Sequence, residues 1–199
     1  MTISYPRSLP SHTGIASIEL RAINAVAYSQ SPFTFSGQAH AYQGQTWQAD
    51  VTLPPMKYED AEQWVAFLLS LRGQYGTFLL GDPLRTSLRG TATGCTIAGS
   101  PGDNTVSATV ASGETLLAGD YIQLNTGTSA TLHKVMQDYT GTGSATDLEI
   151  WPSLRTTQVS TSAVLTNTVG KFRLSSNEQA WSINEASFYG ISFGAMEAL

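Results

Sequence analysis

A mainly β fold with one packed α-helix, interrupted by a small all-β unit, is what three features of this 199-residue chain predict. Apolar residues alternate with a period of two through residues 14–55, the mark of half-buried strands. Between Lys57 and Arg72 the spacing changes to three and four residues, the mark of one amphipathic helix. At residues 91–169 the composition shifts, with 25 Ser and Thr in 79 positions and only Lys134 and Arg155 basic.

The first stretch, "GIASIELRAINAVAYSQSPFTFSGQAHAYQGQTWQADVTLPP", places Ile18, Leu20, Ala22, Val26 and Tyr28 on one parity. Phe33 and Phe35 share another run, and Trp47, Ala49, Val51 and Leu53 a third. "AYQGQTW" separates two of these runs, so its Gln-Gly pair is expected to turn a hairpin. Pro54-Pro55 stops the strand. Over residues 57–72 a helix is expected, with Ala61, Trp64, Val65, Leu68 and Leu71 on its apolar stripe and Glu59, Asp60, Glu62 and Gln63 on the other face. Acidic residues at its start suit the helix dipole, and Arg72 with Gly73 suits its end. "YGTFLL" follows as a buried strand and Gly81-Asp82-Pro83 as a turn.

Residues 91–169 hold six acidic residues against two basic ones, and so carry −4 of the net −5. Strand-like alternation persists in "TVSATV", "DYIQL", "LHKVM" and "DLEIWP" between Gly, Asp and Ser turns, so the segment reads as an inserted small β domain. Residues 170–199 then return to the earlier pattern, with a strand, a Ser-Asn turn, a strand through Trp181 and Ile183, and a last strand through Ile191 and Phe193. The division is therefore a core of residues 1–90 and 170–199 around an insertion at 91–169.

Only 13% of the residues are charged, about half the fraction usual in a globular domain, while 41% are hydrophobic. Two readings fit: a surface covered by partner subunits, or a neutral, hydroxyl-rich β surface. An acidic balance with no Lys/Arg run argues against nucleic-acid binding. The single Cys95 cannot form an internal disulfide. No stretch approaches the roughly 18 apolar residues of a membrane span and no leader pattern opens the chain, so a soluble protein made in the cytoplasm, without membrane insertion, is expected.

No catalytic, cofactor-binding or metal-binding residue is assigned. His12, His40 and His133 lie far apart, none with a carboxylate or Cys at metal-ligand spacing. No Gly-x-Ser-x-Gly, phosphate-cradling loop or Cys-His pair is present. Asp50, Asp82, Asp120, Asp138 and Asp147 could be paired by a fold into a glycosidase site, but Asp82, Asp120 and Asp147 sit where Asp bonds its own backbone. Of Trp47, Trp64, Trp151 and Trp181, which could form sugar-stacking platforms, Trp47 and Trp64 fall on core positions. Trp151, before Pro152, stays open.

The string "WQADVTLPPMKYEDAEQWVAFLLSLRGQYGTFLLGDPLRTSLRG" resembles the distal tail proteins, minor tail proteins of long-tailed bacteriophages and related gene-transfer particles. Trp47, Pro54, Pro55, Trp64, Phe67 to Leu69, Arg72, Gly73, Gly76 to Pro83, Arg89 and Gly90 carry the likeness. "LLAGDYIQL" and "HKVMQDYTGTGSATDLEIWPSLR" resemble a unit of such tail proteins through Gly119, Asp120, His133, Pro152, Leu154 and Arg155. The resemblance implies a tail-tube-like β-sandwich or barrel core with one packed helix. It implies six copies in a ring at the virion's tail tip, joining the tube protein to the hub or baseplate protein, with the tape measure protein as a further neighbour. Unlike relatives that carry a large C-terminal carbohydrate-module-like domain, this chain has its extra unit inside. A carbohydrate-binding adhesion module and a cell-envelope hydrolase are the alternatives.

Overall fold

The computed structural model describes residues 3–11, 14–185 and 187–199, and over them the chain is mainly β with one α-helix. The early alternation resolves into two long strands, β1 (Ser17–Gln30) and β2 (Gly37–Thr52), paired antiparallel from Ser17↔Thr52 to Gln30↔Gly37. The turn expected at Gln43-Gly44 is not there. β2 runs through it, and the chain reverses at residues 31–36, where Ser31 N–H donates to the Ser36 carbonyl and Phe35 N–H to the Ser31 carbonyl. Gln-Gly instead interrupts the ladder. Pairing passes from Asn24↔Gln45 to Val26↔Ala41, so Tyr42, Gln43 and Gly44 stand opposite Ala25 alone, as in a bulge.

A short strand, β3 (Met56–Lys57), leads into α1 (Tyr58–Ser70). This is shorter than the expected 57–72, because Lys57 is the extended N-cap and Leu71 the C-cap. Beyond it, Arg72 and Gly73 adopt φ of 54° and 66° and end the helix. A Cβ on Gly73 would stand 2.6 Å from Asn177 Oδ1, the atom that accepts the Gln74 N–H. All five stripe residues are buried, and Phe67 joins them edge-on to Trp64 and Phe78. The N-terminal segment covers Phe67 from outside, with the Arg7 guanidinium 5.4 Å from its ring and Tyr5 donating to the Ser70 carbonyl.

After β4 (Thr77–Leu80) the inserted stretch contributes β5 (Cys95–Gly99), β6 (Thr105–Val110), β7 (Thr115–Leu116), β8 (Tyr121–Leu124), β9 (Thr131–Val135), β10 (Tyr139–Thr140), β11 (Thr146–Trp151) and β12 (Gln158–Ser162). Six of these form a sheet in the order β12-β5-β6-β11-β9-β8, and β7 pairs with β10. The chain returns through β13 (Gly170–Leu174), β14 (Trp181–Ile183) and β15 (Phe188–Glu197). β15 is the spine of the first sheet, whose order is β1-β2-β15-β13-β4, with β3 and β14 also pairing to it. That sheet therefore takes its strands from both ends of the chain.

Two apolar clusters follow from these sheets. In the first, Trp64, Phe67, Leu68 and Leu71 of α1 pack on Val51, Phe78, Leu80, Phe172 and Phe193 of the sheet. Each such fully buried side chain contributes about 1.5–3 kcal/mol. The second cluster lies within the insertion, around Ile97, Ala108, Ile122, Val135, Leu148 and Ile150. Tyr121 and Leu132 of the insertion belong to the first cluster, so the two units share packing. At the way in, the buried Asp120 carboxylate accepts the N–H groups of Arg89, Gly90 and Leu117 at 2.7, 3.1 and 2.8 Å. Gly90 passes so close to β7 that a Cβ would lie 2.2 Å from the Thr115 carbonyl oxygen. At the way out, Gly170 pairs with Leu80.

Candidate assembly surface

Exposed large apolar side chains gather on the outer part of the β1–β2 hairpin. Ile18 and Leu20 are half-buried, but Val26 and Tyr28 on the same parity are 53% and 64% exposed. The alternation of the strand continues where nothing packs against it. At the tip Phe33 and Phe35 are 92% and 74% exposed, while the backbone beneath them is tied by the 31–36 bonds and by Gln30 Nε2 donating to the Phe35 carbonyl. Tyr42 is exposed too, its ring 4.7 Å from that of His40. Between Arg21 and Asp50 there is no Asp, Glu, Lys or Arg. Charge stops at the root, where Arg21 binds Asp50 at 2.6 Å and Glu19 at 2.9 Å and holds the Glu19 carboxyl below its ordinary range. At about 3.4 Å per residue, β1 beyond Asn24 reaches roughly 20 Å outward.

β1 is also the outermost strand of its sheet. Its free edge presents unpaired N–H and C=O groups, and the outer half lacks the charges that ordinarily keep such an edge from pairing with another chain. A second open edge is β14, which pairs with β15 alone and leaves Trp181 and Ile183 exposed beside Phe188. Tyr58 is exposed next to them, its ring 6.3 Å from Tyr189.

The other residues singled out by the sequence are spread through the fold. Trp47 and Trp64 are buried as expected, Trp47 donating its indole N–H to the Leu132 carbonyl at 2.9 Å. Trp151 is half-buried, 4.5 Å from Trp47 in an edge-to-face pair, and its indole N–H goes to Asn24 Oδ1 at 2.7 Å. These two rings, Tyr121 and Lys134 bound a cleft of about 390 Å³. Lys134 Nζ lies 4.5 Å from the Tyr121 ring.

The aspartates have separate tasks. Asp50 pairs with Arg21, Asp82 caps its own turn by accepting the Leu84 N–H, Asp120 holds the insertion's entry, Asp138 accepts the Ala118 N–H, and Asp147 is exposed on β11. His12 lies outside the described residues. His133 is buried: its Nδ1 donates to the Pro152 carbonyl at 2.8 Å, so its Nε2 accepts from Thr131 Oγ1 at 2.9 Å. Burial first, and the nearby Arg155 charge to a lesser degree, lower its pKa to about 4 despite the Pro152 bond. Cys95 is buried and its thiol is pushed up to about 11. Among the described residues no three His, Cys, Asp or Glu side chains could hold a metal ion, and no helix is long and apolar enough to cross a membrane.

Sequence reasoning missed Asn24, Gln45 and Glu197, which form the root of the hairpin. Glu197 is buried, takes Arg155 Nη2 at 2.7 Å and Nε at 3.2 Å, and accepts the Trp47 backbone N–H at 3.1 Å. The only signal was weak: a Glu near the end of an alternating strand. No protein-family model matches the chain, and no curated protein matches it.

Proposed function

We propose that this chain is a structural subunit of the tail tip of a long-tailed phage or related particle, with six copies in a ring that joins the tail tube to the hub and leaves a channel for DNA. The observation that supports this best is the projecting, uncharged hairpin with its aromatic tip. In water such an arm exposes apolar area and an open strand edge for no return, whereas against a neighbouring copy it gains about 1.5–3 kcal/mol for each large side chain buried. A closed ring needs a head-to-tail contact between two unlike surfaces. The arm and the open β14 edge are two such surfaces. The tube and hub proteins, with the tape measure protein as a further neighbour, are the partners that the resemblance to distal tail proteins suggests.

Imaging of purified tails with the subunit tagged, together with copy counting, tests the reading. Six copies at the tube end are expected, and the Phe33→Ser/Phe35→Ser double variant is expected to be lost from the tails while remaining folded. Three copies or one, or a position away from the tube end, overturns it. The same reading expects no duplex DNA binding at physiological salt, because ten basic residues, none in a run, cannot release many counterions. A salt-sensitive shift of duplex DNA by micromolar protein contradicts that expectation.

The aromatic cleft at Trp47, Tyr121 and Trp151 favours a second reading, a carbohydrate-binding module of the tip. A stable monomer that binds glycans and loses that binding in Trp151→Ala would support it over the ring.

A further inference from the structure

The inserted unit packs on the root of the β1–β2 hairpin around Trp47, and its outermost contacts reach the point where the hairpin's own ladder is interrupted. Between the pairs Asn24↔Gln45 and Val26↔Ala41, three residues of β2 face one of β1. A two-stranded ribbon with neither face packed is marginally stable by itself, and a bulge lets it bend. Left alone, this hairpin would swing at Ala25 and Gly44. Over the 20 Å or so beyond the bulge, a swing of roughly 15° would carry the tip about 5 Å.

Three hydrogen bonds from the last residue of β11 and the loop after it fall on the two residues that flank the bulge. Trp151 Nε1 donates to Asn24 Oδ1 at 2.7 Å, the Ser153 N–H donates to Gln45 Oε1 at 2.7 Å, and Arg155 Nη2 donates to the Gln45 carbonyl at 2.6 Å. The turn at Gly102 backs the bulged strand, so close that a Cβ on Gly102 would sit 3.2 Å from Gln43 Nε2. Arg155 is itself held by Glu197 of β15, which also takes the Trp47 N–H of β2. The loop is thus fixed to the sheet from which the hairpin projects.

We propose that the insertion serves to lock the direction of this arm: the 151–155 segment clamps the two residues that flank the bulge and converts a hinged ribbon into a rigid projection. An arm that is to find one site on a partner loses less entropy on docking if its direction is already set. The clamp belongs to the single chain. It stands or falls independently of whether the arm docks in a ring.

The test is a distance distribution between spin labels at Phe33→Cys on the tip and Gln63→Cys on the exposed face of α1, measured by pulsed dipolar spectroscopy on the full chain. Cys95, buried, stays unlabelled. The parent should give one narrow distance. Asn24→Ala/Gln45→Ala removes two acceptors while leaving both apolar clusters intact, and it should at least double the width while the chain still unfolds in one cooperative transition, a few degrees lower for the donors left unpaired. Trp151→Phe, which keeps a ring beside Trp47 but loses the indole donor, should widen the distribution less. A broad distribution in the parent, or an unchanged width in both folded variants, overturns the clamp.

Discussion

Protonation of His133 offers a measurement whose size follows from the geometry around one ring. The imidazole is buried with Nδ1–H committed to the Pro152 carbonyl, and a proton on Nε2 would replace acceptance from the Thr131 hydroxyl with a donor pointed at it. Arg155 opposes a second positive charge nearby, and burial is the larger effect. The ring therefore titrates near 4 in the folded chain and near 6.5 in the unfolded one. Above pH 6.5 both states hold a neutral ring and His133 contributes no pH dependence. As the pH falls from 6.5 to 4, the unfolded chain takes up a proton that the folded chain refuses, and folding loses stability at up to 1.36 kcal/mol per pH unit, about 3 kcal/mol in all. Below pH 4 the loss from this group stops growing. Urea unfolding followed by tryptophan fluorescence between pH 7 and 4 measures it, with His133→Gln as the non-titrating reference. The variant is expected to be less stable at pH 7, since Gln cannot reach both partners, but its curve should fall less steeply through this window. Carboxylate titrations are common to both proteins and drop out of the difference. Parallel curves would refute the assignment of a buried neutral imidazole.

Leu68→Ala should cost about 2–5 kcal/mol by leaving a hole under α1, whereas Glu62→Ala should cost less than about 0.5 kcal/mol; equal losses in chemical denaturation would contradict the helix's orientation. Glu197→Ala leaves the Arg155 guanidinium largely buried without its carboxylate, and should cost about 3–5 kcal/mol. A loss under about 1 kcal/mol would mean that water replaces the pair. The Cys95 thiol, buried and pushed up to about 11, should ignore a thiol-specific reagent at pH 8 until urea unfolds the chain. Rapid reaction in the native protein would show that β5 opens.

The helix is legible in the sequence because two independent patterns agree there: Trp64, Leu68 and Leu71 share a face, and Arg72-Gly73 provides a stop. Phe67, three residues after Trp64, lies at the border of the stripe and is not among the positions the spacing selects; the structure packs it on Trp64 and Phe78, with the N-terminal segment around Arg7 over its outer side. Of the strands within residues 91–169, β6, β8, β9 and β11 stand out because Gly, Asp and Ser turns separate them, whereas β5, β7, β10 and β12, short or poor in large apolar residues, do not. The arm is harder. Period-two alternation identifies Val26 and Tyr28 as strand residues on one face, but it carries no information on whether anything covers that face. Gln43-Gly44 has turn chemistry, and only the long pairing of β1 with β2 shows that the chain uses it to bulge. The contacts at the root are the least legible. They join Asn24 to Trp151 and Gln45 to Arg155, residues more than a hundred positions apart, through polar groups that have no periodicity to read.

The placement of β15 bears on how this protein can be made. β2 waits unpaired on its inner edge until β15 emerges, since Ser192↔Thr52 and Met196↔Gln48 join the two ends of the chain. During synthesis the hairpin is therefore present long before the sheet that supports it, and its apolar outer half is available for wrong contacts throughout. The insertion is emitted in between, and the partners of its paired strands lie within residues 95–164. If it folds first, it brings Leu80 close to Gly170 and shortens the loop that their pairing must close. Reducing that loop from the length of the insertion to an effective ten residues or so lowers the closure cost by about 2 kcal/mol. A chain whose central strand arrives last thus gains from an early-folding unit in its middle, and slowing the insertion's folding should delay closure of the whole sheet.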